Sequence, residues 1–253
     1  MMKYANIQLG GVHGGAKLQQ QQEGAEMFRT LAIPQSLDTP GTINTVENLA
    51  VTLRDYLVSL PVKGGERLYE ANIAKELGVS RPMVRDACRV LEGEGLLVYT
   101  PNKGYSLRPL TRTEILHLVE FRVLLEEAAF GAAARKADRS ELIENLHRAC
   151  DEMEERSAKD DTAGQISADL AFHRLVVEST SNPWLIESFD RMSTQFRYAI
   201  RLMSRSQQDF KIYAPSHDVL IACIAKGDET NARTEIRRHI SAFIPSLVRR
   251  MGD

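Results

Sequence analysis

Four polar side chains on otherwise apolar helical faces are the first candidates for chemistry: Asp169, His173, His217 and His239. Asp169 and His173 are four residues apart, so they share one helix face, which also carries Ile166, Val176 and Val177. His217 shares its face with Leu220, Ile221 and Ile224, and His239 with Ala232, Ile236 and Phe243. These patterns point the polar groups into an apolar interior, where unpaired they would be costly. One divalent transition metal per chain would satisfy all four together; a hydrogen-bonded core network is the alternative. One carboxylate with three imidazoles suits Zn, Ni, Fe or Mn. Arg122 and Glu126 interrupt the stripe Ile115, Val119, Ala129, Ala133. They read either as a core ion pair or, for Arg122, as a guanidinium aimed at a carboxylate ligand beside the metal. Asn182 is a second candidate for that ligand, with capping of a helix starting at Pro183 as its simpler role.

A second set of residues is cationic and faces outward. Arg81, Arg85 and Arg89 recur every four residues, while the apolar face of the same helix is Val84, Ala87, Cys88 and Leu91. At about 100° per residue, Arg85 and Arg89 point away from the centre of that face. A helix packed on one side with guanidiniums on the other fits a major groove, where arginine binds guanine O6/N7 or clamps phosphate. Lys103, in the turn Pro101-Asn102-Lys103-Gly104, would touch backbone or minor groove. Three arginines alone also fit a solvated basic face, so the elements around them decide.

Those elements come in a telling order. Thr45 can cap a helix with the stripe Val46, Leu49, Leu53, Leu57, which stops before Pro61 and Gly64-Gly65. A short helix over about 70–77 ends at Gly78, and Ser80 caps the arginine-bearing helix, with Pro82 tolerated in its first turn. Leu96 to Tyr99 and Tyr105 to Leu107 then form a small hairpin. Helix, helix, turn, helix, hairpin is the order of a winged helix-turn-helix. After Pro109 the pattern changes to long helical periods, predicting helices over roughly 111–136, 139–158, 163–180, 183–205, 212–226 and 228–250. The expected fold is mainly α: a winged helix-turn-helix over 41–109 and an all-α six-helix bundle over 110–253. Residues 1–40, with Gly10-Gly11, Gly14-Gly15 and the run Gln19 to Gln22, read as a disordered or weakly ordered arm.

Composition narrows the class. Charged residues are 26% and hydrophobic residues 43%, enough for a substantial core. A formal net charge of -2 removes any bulk-charge argument for nucleic-acid binding, so a basic patch must be local. Three widely spaced cysteines, Cys88, Cys150 and Cys223, exclude a disulfide scaffold and fit a reducing compartment. No run approaches a membrane span and no signal peptide is visible, so a soluble, cytoplasmic protein without a membrane partner is expected.

At this point a family resemblance enters. The stretch Gly64-Gly65-Glu66-Arg67-Leu68, then Ile73 through Ala87 (Ile-Ala-Lys-Glu-Leu-Gly-Val-Ser-Arg-Pro-Met-Val-Arg-Asp-Ala), then Leu91-Glu92-Gly93-Glu94-Gly95-Leu96, resembles the GntR family of bacterial transcription regulators. The resemblance implies that Arg81 and Arg85 are the main DNA contacts. Ser80, Met83, Arg89 and the wing tip Asn102, Lys103 and Gly104 complete the set. Gly64-Gly65 stands where the family usually has Pro-Gly, and Ala71-Asn72 where a DNA-contacting Glu or Arg is common. Pro82-Met83 replaces the usual Thr-Pro. The C-terminal part resembles the FCD ligand-binding domain of the same family, in its shorter six-helix type. Metal-binding members carry Asp-x3-His, a later His and a last His in the final helix; Asp169, His173, His217 and His239 match in order. Ser181-Asn182-Pro183 matches a common turn of that domain, and an arginine at the position of Arg122 binds organic-acid effectors in such regulators.

The expectation is a metabolite-responsive regulator, not an enzyme. A small carboxylate near the metal would shift a homodimer on a palindromic double-stranded operator. Two rivals are a DNA-binding protein with a purely structural metal and a metal-dependent bundle enzyme. The enzyme is suggested by the Glu-x-x-His pairs Glu114/His117 and Glu144/His147, but Glu144 lies opposite the stripe Leu142, Leu146, Ala149, Met153.

Overall fold

A computed structural model describes residues 43–59, 64–203, 217–242 and 244. The arm expected over 1–40 lies outside these residues, as do parts of three predicted helices, at 204–205, 212–216 and 243 with 245–250. Helix α1 (Val46–Ser59) is capped by Thr45, whose Oγ1 accepts from the backbone N–H of Asn48 at 3.1 Å. Helix α2 (Glu70–Leu77) stops at Gly78, which takes a left-handed φ of 65° as the break before the next helix requires. Helix α3 (Arg81–Gly93) starts at Ser80, whose side chain accepts from Met83 N–H. Strands β1 (Leu97–Thr100) and β2 (Gly104–Leu107) form the antiparallel hairpin, with Leu97 opposite Leu107 and Tyr99 opposite Tyr105. The wing turn needs left-handed backbone at Asn102 (φ 63°) and Gly104 (φ 80°), which asparagine and glycine adopt most cheaply.

The sequence reading missed one feature here. Arg67 forms a bridge with Ser106, and Leu68 N–H donates to Tyr105 O at 2.9 Å, so the segment before α2 runs along the free edge of β2. Leu49, Leu53, Ile73, Val84, Ala87, Cys88, Leu91, Leu96 and Leu107 close the core of this first unit.

The second unit is a bundle. Helices α4 (Arg112–Ala134), α5 (Ser140–Ala158), α6 (Thr162–Glu178), α7 (Pro183–Met203), α8 (Asp218–Lys226) and α9 (Glu229–Ser241) bury one shared apolar cluster. Helix α4 opens with a full capping box: Thr111 Oγ1 accepts from Glu114 N–H, and the Glu114 carboxylate accepts from Thr111 N–H. Of the helix predicted over 212–226, residues 212–216 lie outside the described residues; α8 is described from Asp218, with His217 at its N-cap position at φ -75° and ψ -11°. The helix predicted from 228 starts at Glu229, because the Asp228 side chain caps it by accepting from Asn231 N–H. Among the described residues no helix is long and apolar enough to cross a membrane.

Candidate functional site

The bundle brings Asp169, His173, His217 and His239 to one point. A ligand atom of each, a ring nitrogen or a carboxylate oxygen, lies within 4.8 Å of the corresponding atoms of the others. Helix α6 supplies Asp169 and His173 one turn apart; His217 comes from the start of α8 and His239 from the last turn of α9. The His217 and His239 rings are 4.6 Å apart between centroids, and each is within about 5.5 Å of the His173 ring. His173 and His217 are buried, whereas Asp169 is 28% exposed at its side chain, so the group opens on the Asp169 side. Asp169 Oδ1 lies 3.2 Å from Nε2 of His217 and 3.8 Å from Nε2 of His173.

Two of the four groups carry the charge state that ligation needs, while at His173 burial is outweighed by Glu126 and Asp169, which raise its pKa, so a metal there would displace a proton. Partial burial works against the Asp169 carboxyl ionising, but the His173 and His217 imidazoles hold it well below the usual carboxylate range. Burial, with the neighbouring His173 and His217, pushes His239 down to about 3, so its ring stays neutral with a lone pair to offer. Nε2 of His173 and Nε2 of His217 are buried and make no hydrogen bond among the described residues. Buried polar nitrogens are almost always partnered. A divalent ion between these four side chains would partner both, so the residues fit such a metal.

Behind His173 stands Glu126, which the sequence reading had paired only with Arg122. Both Glu126 and Arg122 are buried. The Glu126 Oε1 accepts from Arg122 Nε at 2.5 Å, and its Oε2 lies 2.5 Å from His173 Nδ1. Glu126 thus touches the far side of the imidazole, leaving Nε2 to face the cluster, the arrangement that orients metal-ligating histidines. Burial opposes the Glu126 charge, yet Arg122 and His173 overcome it and bring its pKa down to about 2. Arg122 also turns Nη2 toward Asp169 Oδ2, 3.8 Å away, and lays its guanidinium 4.4 Å from the centre of the Phe196 ring. The core ion pair and the approach to the cluster therefore coexist in one side chain. The Arg122–Glu126 spacing of four in the sequence was the only signal for this network.

Asn182 goes elsewhere. It is exposed, and its Oδ1 accepts from Trp184 N–H at 3.1 Å at the start of α7. Fourteen residues separate it from Phe196 on that helix, about 21 Å of rise. The structure gives it the capping role and does not bring it to Arg122.

In the first unit, Arg81, Arg85 and Arg89 are exposed along one side of α3 and line a shallow surface with Pro82 and Asp86. Arg85 pairs with Glu70 at 2.9 Å and Arg89 with Asp86 at 2.6 Å. Ser80 is exposed but spends its hydroxyl on the helix cap, and Met83 is half-buried against the core. Asn102 and Lys103 are exposed at the wing tip, next to the half-buried Gly104, and Arg67 donates to the Lys103 carbonyl.

Residues 45–106 match the profile described as "Bacterial regulatory proteins, gntR family", and residues 117–242 match the FCD domain. The chain belongs to the GntR family. This GntR/FCD regulator is 31% identical over 148 residues to the Nta operon transcriptional regulator of Aminobacter aminovorans, covering 56% of this chain and 67% of that one. It is 27% identical over 196 residues to the gluconate operon transcriptional repressor of Bacillus subtilis (strain 168), covering 73% and 77%. Its fold is that of E. coli McbR/YncC, with a TM-score of 0.71 at 17% identity over 81% of this chain and 97% of that one. A GntR regulator from Rhodococcus sp. RHA1 gives a TM-score of 0.69 at 23% identity, over 80% and 97%. As a GntR/FCD protein the chain is a transcription regulator and not an enzyme. The Glu-x-x-His pairs agree: Glu114 is spent on a helix cap, and the Glu144 side chain is 73% exposed.

Proposed function

We propose that this regulator binds a small carboxylate at the Asp169 cluster and that this binding changes its affinity for a palindromic operator. The observation that carries the reading is the placement of the buried Arg122 3.8 Å from Asp169, one of four convergent ligand groups. Asp169, His173, His217 and His239 would hold one divalent ion. A bound metal would supply positive charge and open coordination positions for a carboxylate oxygen. Arg122 would hold the second oxygen; Glu126 keeps the guanidinium and His173 in place from behind. A carboxylate ligand would satisfy both cationic groups without leaving a buried charge unpaired. A relative is named for a gluconate operon, and gluconate belongs to this chemical class.

In this reading the unit over 41–109 reads DNA, with Arg81, Arg85 and Arg89 along α3 and the Asn102–Gly104 tip against the backbone, while the unit over 110–253 senses and dimerises. Support for a homodimer comes from α4 and α7. Phe121, Leu124 and Trp184 are exposed there, with Trp184 at 78%, and Phe121 and Trp184 share one groove with Leu118. A large apolar patch on a surface helix marks an association face. Glu187 and Arg191, one turn apart on the same stretch of α7, line the groove and pair with each other at 3.3 Å. The three cysteines, all free, suit a reducing cytoplasm.

The test is calorimetric titration of zinc-loaded protein with a panel of organic acids, sugar acids included, for wild type and Arg122→Ala. The expected result is one acid that binds wild type and binds the variant at least about tenfold more weakly, with metal content unchanged. Equal binding of that acid by both proteins would remove Arg122 from the site. Effector-independent operator binding would favour a purely structural metal.

A further inference from the structure

We propose that one turn of α7, Gln195 to Tyr198, links the Arg122 site to the DNA-reading unit, with Phe196 as the residue that senses Arg122. The proposal deepens the effector reading and rests on Arg122 being the carboxylate ligand. Four consecutive side chains touch four different places. Phe196 points into the bundle core and carries the Arg122 guanidinium on its ring face. Gln195 leaves the bundle and donates from Nε2 to the backbone carbonyl of Glu94, at the C-terminal end of α3, at 3.0 Å. Arg197 approaches Asp55 on α1 at 3.6 Å. Tyr198 is buried in the core of the winged helix, not of the bundle, and donates from Oη to the Arg108 carbonyl at 2.7 Å.

The fit at the end of α3 is tight. Gly95 takes a left-handed φ of 76°, and a Cβ there would come within 2.7 Å of Gln195 Nε2. Glu94 is also held from the other side, its carboxylate paired with Arg54 of α1. Glu94 is thus a junction of α1, α3 and α7. Burial pushes the Tyr198 hydroxyl up to about 12, so it remains a hydrogen-bond donor at any physiological pH.

A helix with unbroken backbone bonds moves as a rod, and residues three apart share a face. Gln195 and Tyr198 grip the first unit from one face, while Phe196 is turned by about 100° into the bundle. A carboxylate that draws the guanidinium off the Phe196 ring would remove a cation–π contact and release this turn of α7. The displacement would reach the end of α3 through Gln195 and the exit of the hairpin through Tyr198. Two sites share one element, and a coupling free energy arises if that element has two settings which each site biases differently.

The experiment is hydrogen exchange by mass spectrometry on the full-length, metal-loaded chain. The amides of Gly95, Leu96 and Arg108 donate to the carbonyls of Glu92, Leu91 and Leu96 and report on the end of α3 and the hairpin exit. Phe196→Leu keeps an apolar side chain but removes the ring face. It should raise exchange at these three amides about threefold or more, the size expected for losing one cation–π contact. Arg122→Lys, which keeps a charge for Glu126 but replaces the planar guanidinium, should act in the same direction and decides the matter if Phe196→Leu fails to fold. In a Gln195→Ala, Tyr198→Phe background both substitutions should still loosen α7 but no longer move the Gly95, Leu96 and Arg108 amides. Unchanged exchange at those amides in the single variants, or an undiminished response in the uncoupled background, would overturn the proposal. A coupling signal without any carboxylate binding in calorimetry would retire the effector reading and keep the link; binding without the signal would do the reverse.

Discussion

The two units place their charged groups in opposite surroundings. On α3 the arginines stand in water, and Arg85 and Arg89 meet acidic partners through pairs that solvent screens. In the bundle, Arg122 and Glu126 are sealed from water, and every neighbour of Glu126 bears on its charge. An exposed cation exchanges its carboxylate for a phosphate at little cost, so the proposed DNA-reading face needs no assembly before use. A buried network holds together only while all members are present. Changes on α3 should therefore alter binding and leave stability alone, while changes around Glu126 should alter stability first and binding through it.

The largest expected effect is at Glu126. Glu126→Ala leaves Arg122 buried without its partner, which costs about 3–5 kcal/mol for such pairs. Urea unfolding of the metal-free chain measures it; a loss below about 1 kcal/mol would mean that water reaches the pair and that the contrast between the units is overstated. The pH dependence follows with a definite sign. The Glu126 carboxyl titrates in the folded chain at about 2, below its ordinary 4.5. The folded state therefore binds fewer protons than the unfolded one between these values, so the contribution is complete above about 4.5 and is lost as pH falls toward 2. Stability of the metal-free chain, followed by circular dichroism, should fall more steeply over that window in wild type than in Glu126→Gln. Parallel curves would show that Glu126 is not held in its charged form.

How much of this was legible from sequence differs between the units in the same way. Helix order, the Ser80 cap and the outward arginines of α3 follow from local rules, because a short helix with one apolar stripe has only one way to face its core. The four converging side chains were legible as polar interruptions of apolar faces. What periodicity cannot supply is which element a face will meet. Glu126 was visible as a partner of Arg122 four residues away, but its approach to His173 on another helix was not. Nothing in the sequence around Tyr198 marked that it enters the other core.

Smaller effects belong to the DNA-reading unit. Arg85→Ala should weaken operator binding about tenfold or more if its contact is to a base edge, with the unfolding midpoint unchanged. Affinity measured at matched salt decides; equal binding would remove Arg85 from the interface. Lys103→Ala at the wing tip should do least. It should lower the salt dependence of binding by about one counterion and weaken all sequences alike. Loss of discrimination between operator and unrelated DNA would instead make Lys103 a reader of bases.

The central claim is that Asp169, His173, His217 and His239 are a metal site and not a self-satisfied polar core. Elemental analysis of the purified full-length chain, wild type beside His239→Ala, tests it most directly. The account predicts about one divalent transition metal per wild-type chain, a clear loss in the variant, and a fall in wild-type melting temperature on chelation. A metal-free wild-type protein whose melting temperature does not respond to added zinc, nickel, iron or manganese would contradict it.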